Sequence, residues 1–549
     1  MGREKGSAVS SGVDVVQTDV VCVGSGAAGL AAAVSAVDAG SRVVVVEKSA
    51  VIGGTLPFGG GNIWIPNNFV LRRNGVEDGR EDCLRYMARY SYPHLFRPSD
   101  PLLGLAEGDY ALLEAIYDSG FRAMDRFQEI GAVDLKEMRL FELDRQTWDY
   151  ADHFPENKVP AGRTLEPIGG SGWGGSGASL VETMEGWLRE RDTLFLTDAP
   201  ATDIIVEDGR VVGVQILKDG KVQDVRAGKG VIFGTGGFAH NVELIEKHQT
   251  FLYGACGIET LTGDFVAMSA KVGAALAYMQ NAWRAQVVLE EALQNRALRH
   301  CVYVLPGHSM IMVDKRGKRV VNEKRSYNDR GNIHFTFDPT AGDYPNQFLF
   351  MLFDQKCIDK NGGNYPIPLS SEGLPDYIIR GSDIHELAVA LQARLDALSA
   401  HIPHVALDPC FEETLLNTFA TYNRFAQDGV DEEFGRGGQG YDREWDPLYS
   451  RVRPEYDGND SPRNTMSPIS PSGPYFACIL AAGALDTNGG PRINARSEVI
   501  RADGKPIPGL YAAGNCAASP SRGAYYGGGG TIGLAMTFGY LAGRNASQS

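Results

Sequence analysis

Two short stretches of the sequence carry residue types that could do chemistry. "NEKRSYNDRG" (322–331) places Tyr327 at the fifth position after Asn322, next to Glu323. A phenol titrates near 10 in water, so a tyrosine that moves protons needs a special site. "VVCVGSGAAGL" (20–30) carries Gly24, Gly26 and Gly29 in GxGxxG spacing. The first two glycines permit a tight turn and close approach of a pyrophosphate to a helix N-terminus, and the third lets that helix pack on its strand. Dinucleotide binding is the chemistry this second stretch offers.

The elements that must position these residues follow from pattern. Residues 18–49 read as strand, glycine turn, Ala-rich helix and second strand, a complete βαβ unit. Glu47 ends the second strand, about 20 residues beyond the glycines, where a carboxylate can accept from ribose hydroxyls. Two more glycine runs, Gly53-Gly54 and Gly59-Gly60-Gly61, follow directly, where a plain NAD domain would enter another helix. Downstream, "GVIFGTGGFAHN" (230–241) and "GLYAAGNCAAS" (509–519) are apolar strands ending in small residues, among them Gly236, Gly237 and Gly514. Backbone passing against a flavin or its ribityl chain needs that form.

Bulk composition narrows the class. With 549 residues, 43% of them hydrophobic, the chain builds more than one core, so two to three units are expected. A net charge of -16 argues against nucleic acid or an anionic membrane as the main partner. No apolar run is long enough to span a bilayer, and peripheral membrane contact is left open. The eight cysteines are scattered, without CxxC, CxxCH or zinc spacing, which predicts free thiols in a reducing cytoplasm and no metal centre. The first eighteen residues lack the apolar core of a signal peptide and read as a flexible lead-in.

Several motifs carry a resemblance. "GSGAAGL", "EKSAVIGG", "GTGGFAHN", "TGDFVAMSAKVGA" (262–274), "KRVVNE" (318–323) and "GLYAAGN" together resemble the flavoprotein subunits of the fumarate reductase and succinate dehydrogenase superfamily. Within it, "GGNIWIPNN", "GVDEEFGRGGQGYD" (429–442), "GPYFACILAAGALDTNGG" (473–490) and "YYGGGGTIGLAMTFGY" (525–540) resemble the 3-ketosteroid Δ1-dehydrogenases. The matches run in order along nearly the whole chain. The resemblance implies an α/β fold, with a Rossmann-like FAD-binding domain from 1–290 and 461–549 and an α+β catalytic domain, 291–460, inserted into it. Stretches 362–377 and 457–474, rich in Pro, Gly and Ser, read as surface connections, and 382–398 as a packed helix with a Ser-Asp cap.

The cofactor implied is FAD, bound noncovalently because "TLPFGGGN" after Gly54 has no histidine to bond the ring. Its implied contacts are the glycines named above, without Gly59, together with Ala27, Ala28, Lys48, Thr55, Asp264, Asn515, Thr531 and Ile532. In the dicarboxylate reductases of the superfamily an Arg stands where this chain has Tyr327, a His precedes "TxGG", and an Arg lies in the C-terminal glycine loop. Here Leu485 and Asp486 precede "TNGG", and no Arg lies between Tyr525 and Gly533.

The ketosteroid enzymes instead imply Tyr327 as a phenolate-like base, with Tyr525 and the Gly529 N–H clamping the carbonyl oxygen while hydride leaves for flavin N5. Tyr526 is the alternative to Tyr525. Tyr150 is the assisting tyrosine, with Ala151 as the alternative register. The expected reaction is 1,2-desaturation of a 3-ketosteroid, and the alternative substrate is a cyclohexanone-type ring. A noncatalytic electron-transfer subunit is disfavoured because it would not need both Tyr327 and Tyr525. A quinone or another carrier is the expected electron acceptor.

Overall fold

A computed structural model describes residues 15–140, 145–168, 176–369, 371–445 and 465–549. The expected βαβ unit is present: Val15–Val23 (β1) pairs in parallel with Val43–Val46 (β2), and helix Ala27–Asp38 (α1) connects them. All four valines of β2 are buried, as a strand covered on both faces requires. Lys221–Phe233 lies parallel to β1 on its other side, with Pro506–Ala512 beyond it, and Leu194–Leu196 extends the sheet past β2. The C-terminal helix Gly530–Ser547 lies on α1. A Cβ on Gly539 would come within 2.5 Å of Ala28 O, and one on Gly543 within 2.3 Å of Ala32 O, so the two backbones meet through glycine.

A second, mostly antiparallel sheet is built on Tyr475–Thr487, which pairs with Phe348–Asp354, Ala282–Val288 and Ile379–Gly381. Two of these strands, Ala282–Val288 and Tyr475–Thr487, lie outside 291–460, so the second sheet reaches across both expected boundaries of the insert. Helix Ile384–Ala397 falls within the expected 382–398, and Asp383 caps it by accepting from Glu386 N at 2.9 Å. The fold is α/β, a Rossmann-like layer joined to a mixed sheet.

The connection over 457–474 departs from expectation. Residues 457–464 lie outside the described residues, and beyond them Met466 and Ile469 are buried rather than at the surface. Side chains supply the backbone partners that such a stretch lacks. Asn423 accepts from Ile469 N at 2.7 Å and donates to Ile469 O at 2.9 Å, and Arg436 donates to Thr465 O at 2.8 Å. Ile367, in the other expected surface stretch, is buried too. Among the described residues no helix is long and apolar enough to cross a membrane, and no cluster of three or more His, Cys, Asp or Glu could hold a metal. All eight cysteines are free.

Candidate active site

One cavity of about 410 Å³, the size of a small-molecule site, is lined both by the glycine turn after β1 and by the tyrosines. At the first end, Gly24 has φ +94°, and a Cβ there would lie 2.5 Å from Gly234 O. A Cβ on Gly29 would lie 1.9 Å from Gly24 O, so only glycine lets α1 start this close to the turn. The α1 N-terminus has no side-chain cap, which leaves its N–H groups for an anion. Glu47 Oε2 accepts from Ser25 N at 2.9 Å and Ser25 Oγ at 2.6 Å, and Oε1 accepts from Ser49 N at 2.8 Å. The carboxylate is thereby oriented, with lone pairs left for ribose hydroxyls. Lys48 Nζ donates to Asp264 at 2.9 Å.

All but three of the expected cofactor residues line this cavity. Gly29, Gly53 and Gly237 stand behind its wall, where their Cβ positions would meet Gly24, Pro57 and Thr487. Asn62 Oδ1 is buried on the wall with no partner among the described residues, a polar atom waiting for a ligand. Turn, acid and orphaned amide together fit FAD.

At the other end the Asn-Glu pair acts as an anchor. Glu323 is buried and takes a two-pronged bond from Arg319, 2.9 Å to each oxygen, while Arg319 also reaches Asp431 at 2.9 Å. Asn322 donates to Asp442 at 3.0 Å, and Lys324 Nζ donates to the carbonyls of Leu305 and Gly307. From this fixed base Ser326 caps the short helix Tyr327–Gly331, accepting from Asp329 N at 3.3 Å, and Tyr327 is its first residue. The backbone of Tyr150 is tied to the C-terminal loop, its N–H donating to Tyr526 O at 2.9 Å.

Three tyrosines meet here. The Tyr150 hydroxyl donates to the Tyr327 hydroxyl at 3.2 Å, the Tyr150 and Tyr525 rings stack at 5.1 Å, and Tyr327 meets Tyr525 edge-on at 5.4 Å. Of the two registers weighed, Tyr150 rather than Ala151 reaches Tyr327. Tyr525 lines the cavity, whereas Tyr526 turns away, with its hydroxyl 2.7 Å from Ser91 Oγ and its ring on Trp64. Gly529 sits at φ +82°, just before helix Gly530–Ser547, and a Cβ there would lie 2.1 Å from Asn62 O. Among the described residues its N–H donates to no protein group, and the residue lines the cavity.

Burial pushes the phenols of Tyr327 and Tyr150 well above their ordinary value, and neighbouring tyrosines add to the shift. Burial raises Tyr525 as well, opposed by hydrogen bonds from Tyr327 and Thr531. Burial and the neighbouring tyrosines favour the neutral phenol of Tyr327. The cavity also holds residues that sequence reasoning missed. Trp283 donates to Asn515 Oδ1 at 2.8 Å and packs against Tyr525, and Tyr303 packs against Tyr327. Glu444 Oε2 accepts from Trp148 N at 2.8 Å, and burial pushes its carboxyl up to about 8. Only Glu444 had a signal nearby, being two residues past the motif "GVDEEFGRGGQGYD". Trp283 and Tyr303 lie in no motif, and folding alone brings them in.

Comparison with known proteins places this geometry. Residues 19–532 match the model of the FAD binding domain family. The chain is 29% identical to a 3-oxosteroid 1-dehydrogenase from Mycolicibacterium smegmatis, covering 95% of this chain and 96% of that protein. It is 30% identical to a 4-oxocyclohexanecarboxylate 2-dehydrogenase from Sinomonas cyclohexanicum, covering 96% and 92%. Its fold matches the crystal structure of 3-ketosteroid delta1-dehydrogenase from Sterolibacterium denitrificans in complex with 1,4-androstadiene-3,17-dione, with a TM-score of 0.78, 24% identity and coverage of 97% and 99%. A turn and acid that fit FAD, inside a family match spanning most of the chain, lead to one conclusion: the chain belongs to the FAD binding domain family and is an FAD-dependent oxidoreductase similar to the 3-oxosteroid 1-dehydrogenases.

Proposed function

We propose that the protein dehydrogenates a cyclic ketone, introducing a C=C bond beside the carbonyl as in 3-ketosteroid Δ1-dehydrogenation. The observation that carries this reading is the meeting of Tyr150, Tyr327 and Tyr525 beside the Gly529 N–H, which has no protein partner among the described residues. Tyr525 and Gly529 donate to the ketone oxygen as enolate charge develops, the work of an oxyanion hole. Tyr327 takes the α-proton. Burial opposes the charge, so Tyr327 loses its proton to solvent only on turnover, and the Tyr150 hydroxyl, which donates to it at 3.2 Å, stabilises the phenolate that accepts the α-proton. FAD, held noncovalently along the glycine turn and Glu47, supplies the hydride acceptor when bound, with a quinone or another carrier as electron acceptor. The eight free thiols suit a cytoplasmic enzyme.

A second reading keeps the chemistry and shrinks the substrate to a cyclohexanone bearing a carboxylate. Arg299, exposed on the cavity wall and in no ion pair among the described residues, is a cation such a group could meet. Anaerobic mixing of the FAD-loaded protein with androst-4-ene-3,17-dione, cyclohexanone and 4-oxocyclohexanecarboxylate, followed by flavin absorbance, decides between them. Bleaching by the steroid alone supports the first reading, and bleaching by the acid alone the second. No bleaching by any of the three would remove both.

A further inference from the structure

The wall behind Tyr303 holds two sulfurs that the proposed reaction does not use. Cys256 follows strand Gly254–Ala255, and Cys301 is brought beside it because Ala255 pairs with Ala297 and accepts from Leu298 N at 2.8 Å. Their Sγ atoms lie 2.6 Å apart, and Cys256 Sγ is 3.1 Å from the Tyr303 hydroxyl. Both thiols also reach the Ala484 carbonyl, at 3.8 and 3.6 Å. The Tyr303 ring in turn meets Tyr327 edge-on at 5.2 Å and lines the cavity. Two thiols held this close need little backbone movement to reach a bond of about 2.05 Å. The other six cysteines have no sulfur partner.

We propose that Cys256 and Cys301 form a reversible disulfide under oxidation, a modification site that acts on the base Tyr327 through Tyr303. The oxidant is hydrogen peroxide. The Cys256 thiolate attacks one peroxide oxygen, the O–O bond breaks, and a sulfenic acid forms as the released hydroxide takes a proton to become water. The Cys301 sulfur then attacks the sulfenic sulfur, its S–H proton leaves with the displaced hydroxide as a second water, and the S–S bond closes. One peroxide and two thiols thus give one disulfide and two waters, with two electrons passing from sulfur to oxygen.

The pair is asymmetric in the sense this order needs. Cys256 is partly exposed, and the hydrogen bond from Cys301, joined by that from Tyr303, holds its thiol below the ordinary value despite burial. Cys301 is buried, and burial pushes its thiol up. The nucleophile is therefore Cys256 and the resolving thiol Cys301. Bond formation draws Cys256 Sγ off the Tyr303 hydroxyl and resets the aromatic wall on which Tyr327 rests. In a reducing cytoplasm such a bond is transient and reports oxidation.

The test treats FAD-loaded protein with hydrogen peroxide, alkylates it in denaturant and maps its peptides without reductant. The titratable thiols should fall from eight to six, with the Cys256 and Cys301 peptides joined and both thiols recovered in dithiothreitol. Ketone-dependent flavin bleaching should slow in the oxidised wild type and recover with reductant, whereas Cys256→Ser, which lacks the attacking thiol, should bleach as fast after peroxide as before. This activity arm rests on the ketone reading above. The thiol map does not, so failure of one is distinguishable from failure of the other. Retention of all eight thiols, a link between other cysteines, or oxidation that dithiothreitol cannot reverse would overturn the site. A correct link that leaves bleaching unchanged would overturn its action on Tyr327.

Discussion

A tyrosine takes a carbon-bound proton only as its phenolate, and at Tyr327 the Tyr150 hydroxyl, donating from 3.2 Å, is placed to stabilise that charge. Tyr327→Phe should leave ketone binding intact and slow flavin reduction by about two to four orders of magnitude, the range of general-base loss, in anaerobic stopped-flow. Tyr525→Phe removes one of two oxyanion donors and should cost ~3 kcal/mol in the transition state, and it should also weaken ketone binding. Wild-type flavin reduction in Tyr327→Phe would remove it as the base. Glu444 carries a pH prediction. Its folded carboxyl titrates near 8 against an ordinary 4.5, so in that window the folded state holds a proton that the unfolded state has lost. The associated stability is full below about 4.5 and disappears as pH rises through about 8. The Tm advantage of Glu444→Gln over the wild type should therefore grow between about pH 5 and about pH 9. A constant difference would mean that Glu444 is ionised throughout.

At the scale of elements, the five-residue helix beginning at Tyr327 is too short to hold itself in place, and the buried cluster around Glu323 does the holding. Arg319→Met leaves Glu323 the Met312 N–H at 3.2 Å and the contact to Arg436 at 3.3 Å, and strips Asp431 of its bidentate partner. Breaking a buried pair from one side costs about 3–5 kcal/mol. Thermal melts should show a loss of that order, and the stopped-flow rate should fall because Tyr327 loses its register against Tyr150. An unchanged Tm with an unchanged rate would mean that Tyr327 is held by its aromatic neighbours alone. The Gly530–Ser547 helix positions the opposite partner. Its glycine stripe lets it lie on α1, and Gly529, just before its first turn, lines the same cavity.

At the scale of the whole molecule, the cavity is bounded by both sheets, the nucleotide end by the parallel layer and the tyrosine end by segments that pack on the antiparallel one. The loop after Gly54 offers no histidine, so acid precipitation should release the yellow colour into the supernatant. Colour retained in the pellet would show a covalent flavin instead.

The sequence by itself determined what depends on neighbours close along the chain. The βαβ unit, the glycine turn, the acid at 47 and the capped helix near 384 were legible because turn sterics, strand pattern and capping are local. The two tyrosines stood out only because their motifs resembled a family. Tertiary structure alone decided which of Tyr525 and Tyr526 faces the cavity, since adjacent residues in an irregular loop have no period to separate them, and here Ser91 and Trp64 hold Tyr526 away. It also decided that Gly29, Gly53 and Gly237 stand behind the cavity wall, because a glycine that admits a ligand and one that admits a neighbouring backbone look the same in sequence. Glu444 and Trp283 belong to segments far apart in the chain, and only folding brings them to one wall and sets the Cys256–Cys301 pair behind it against Tyr303.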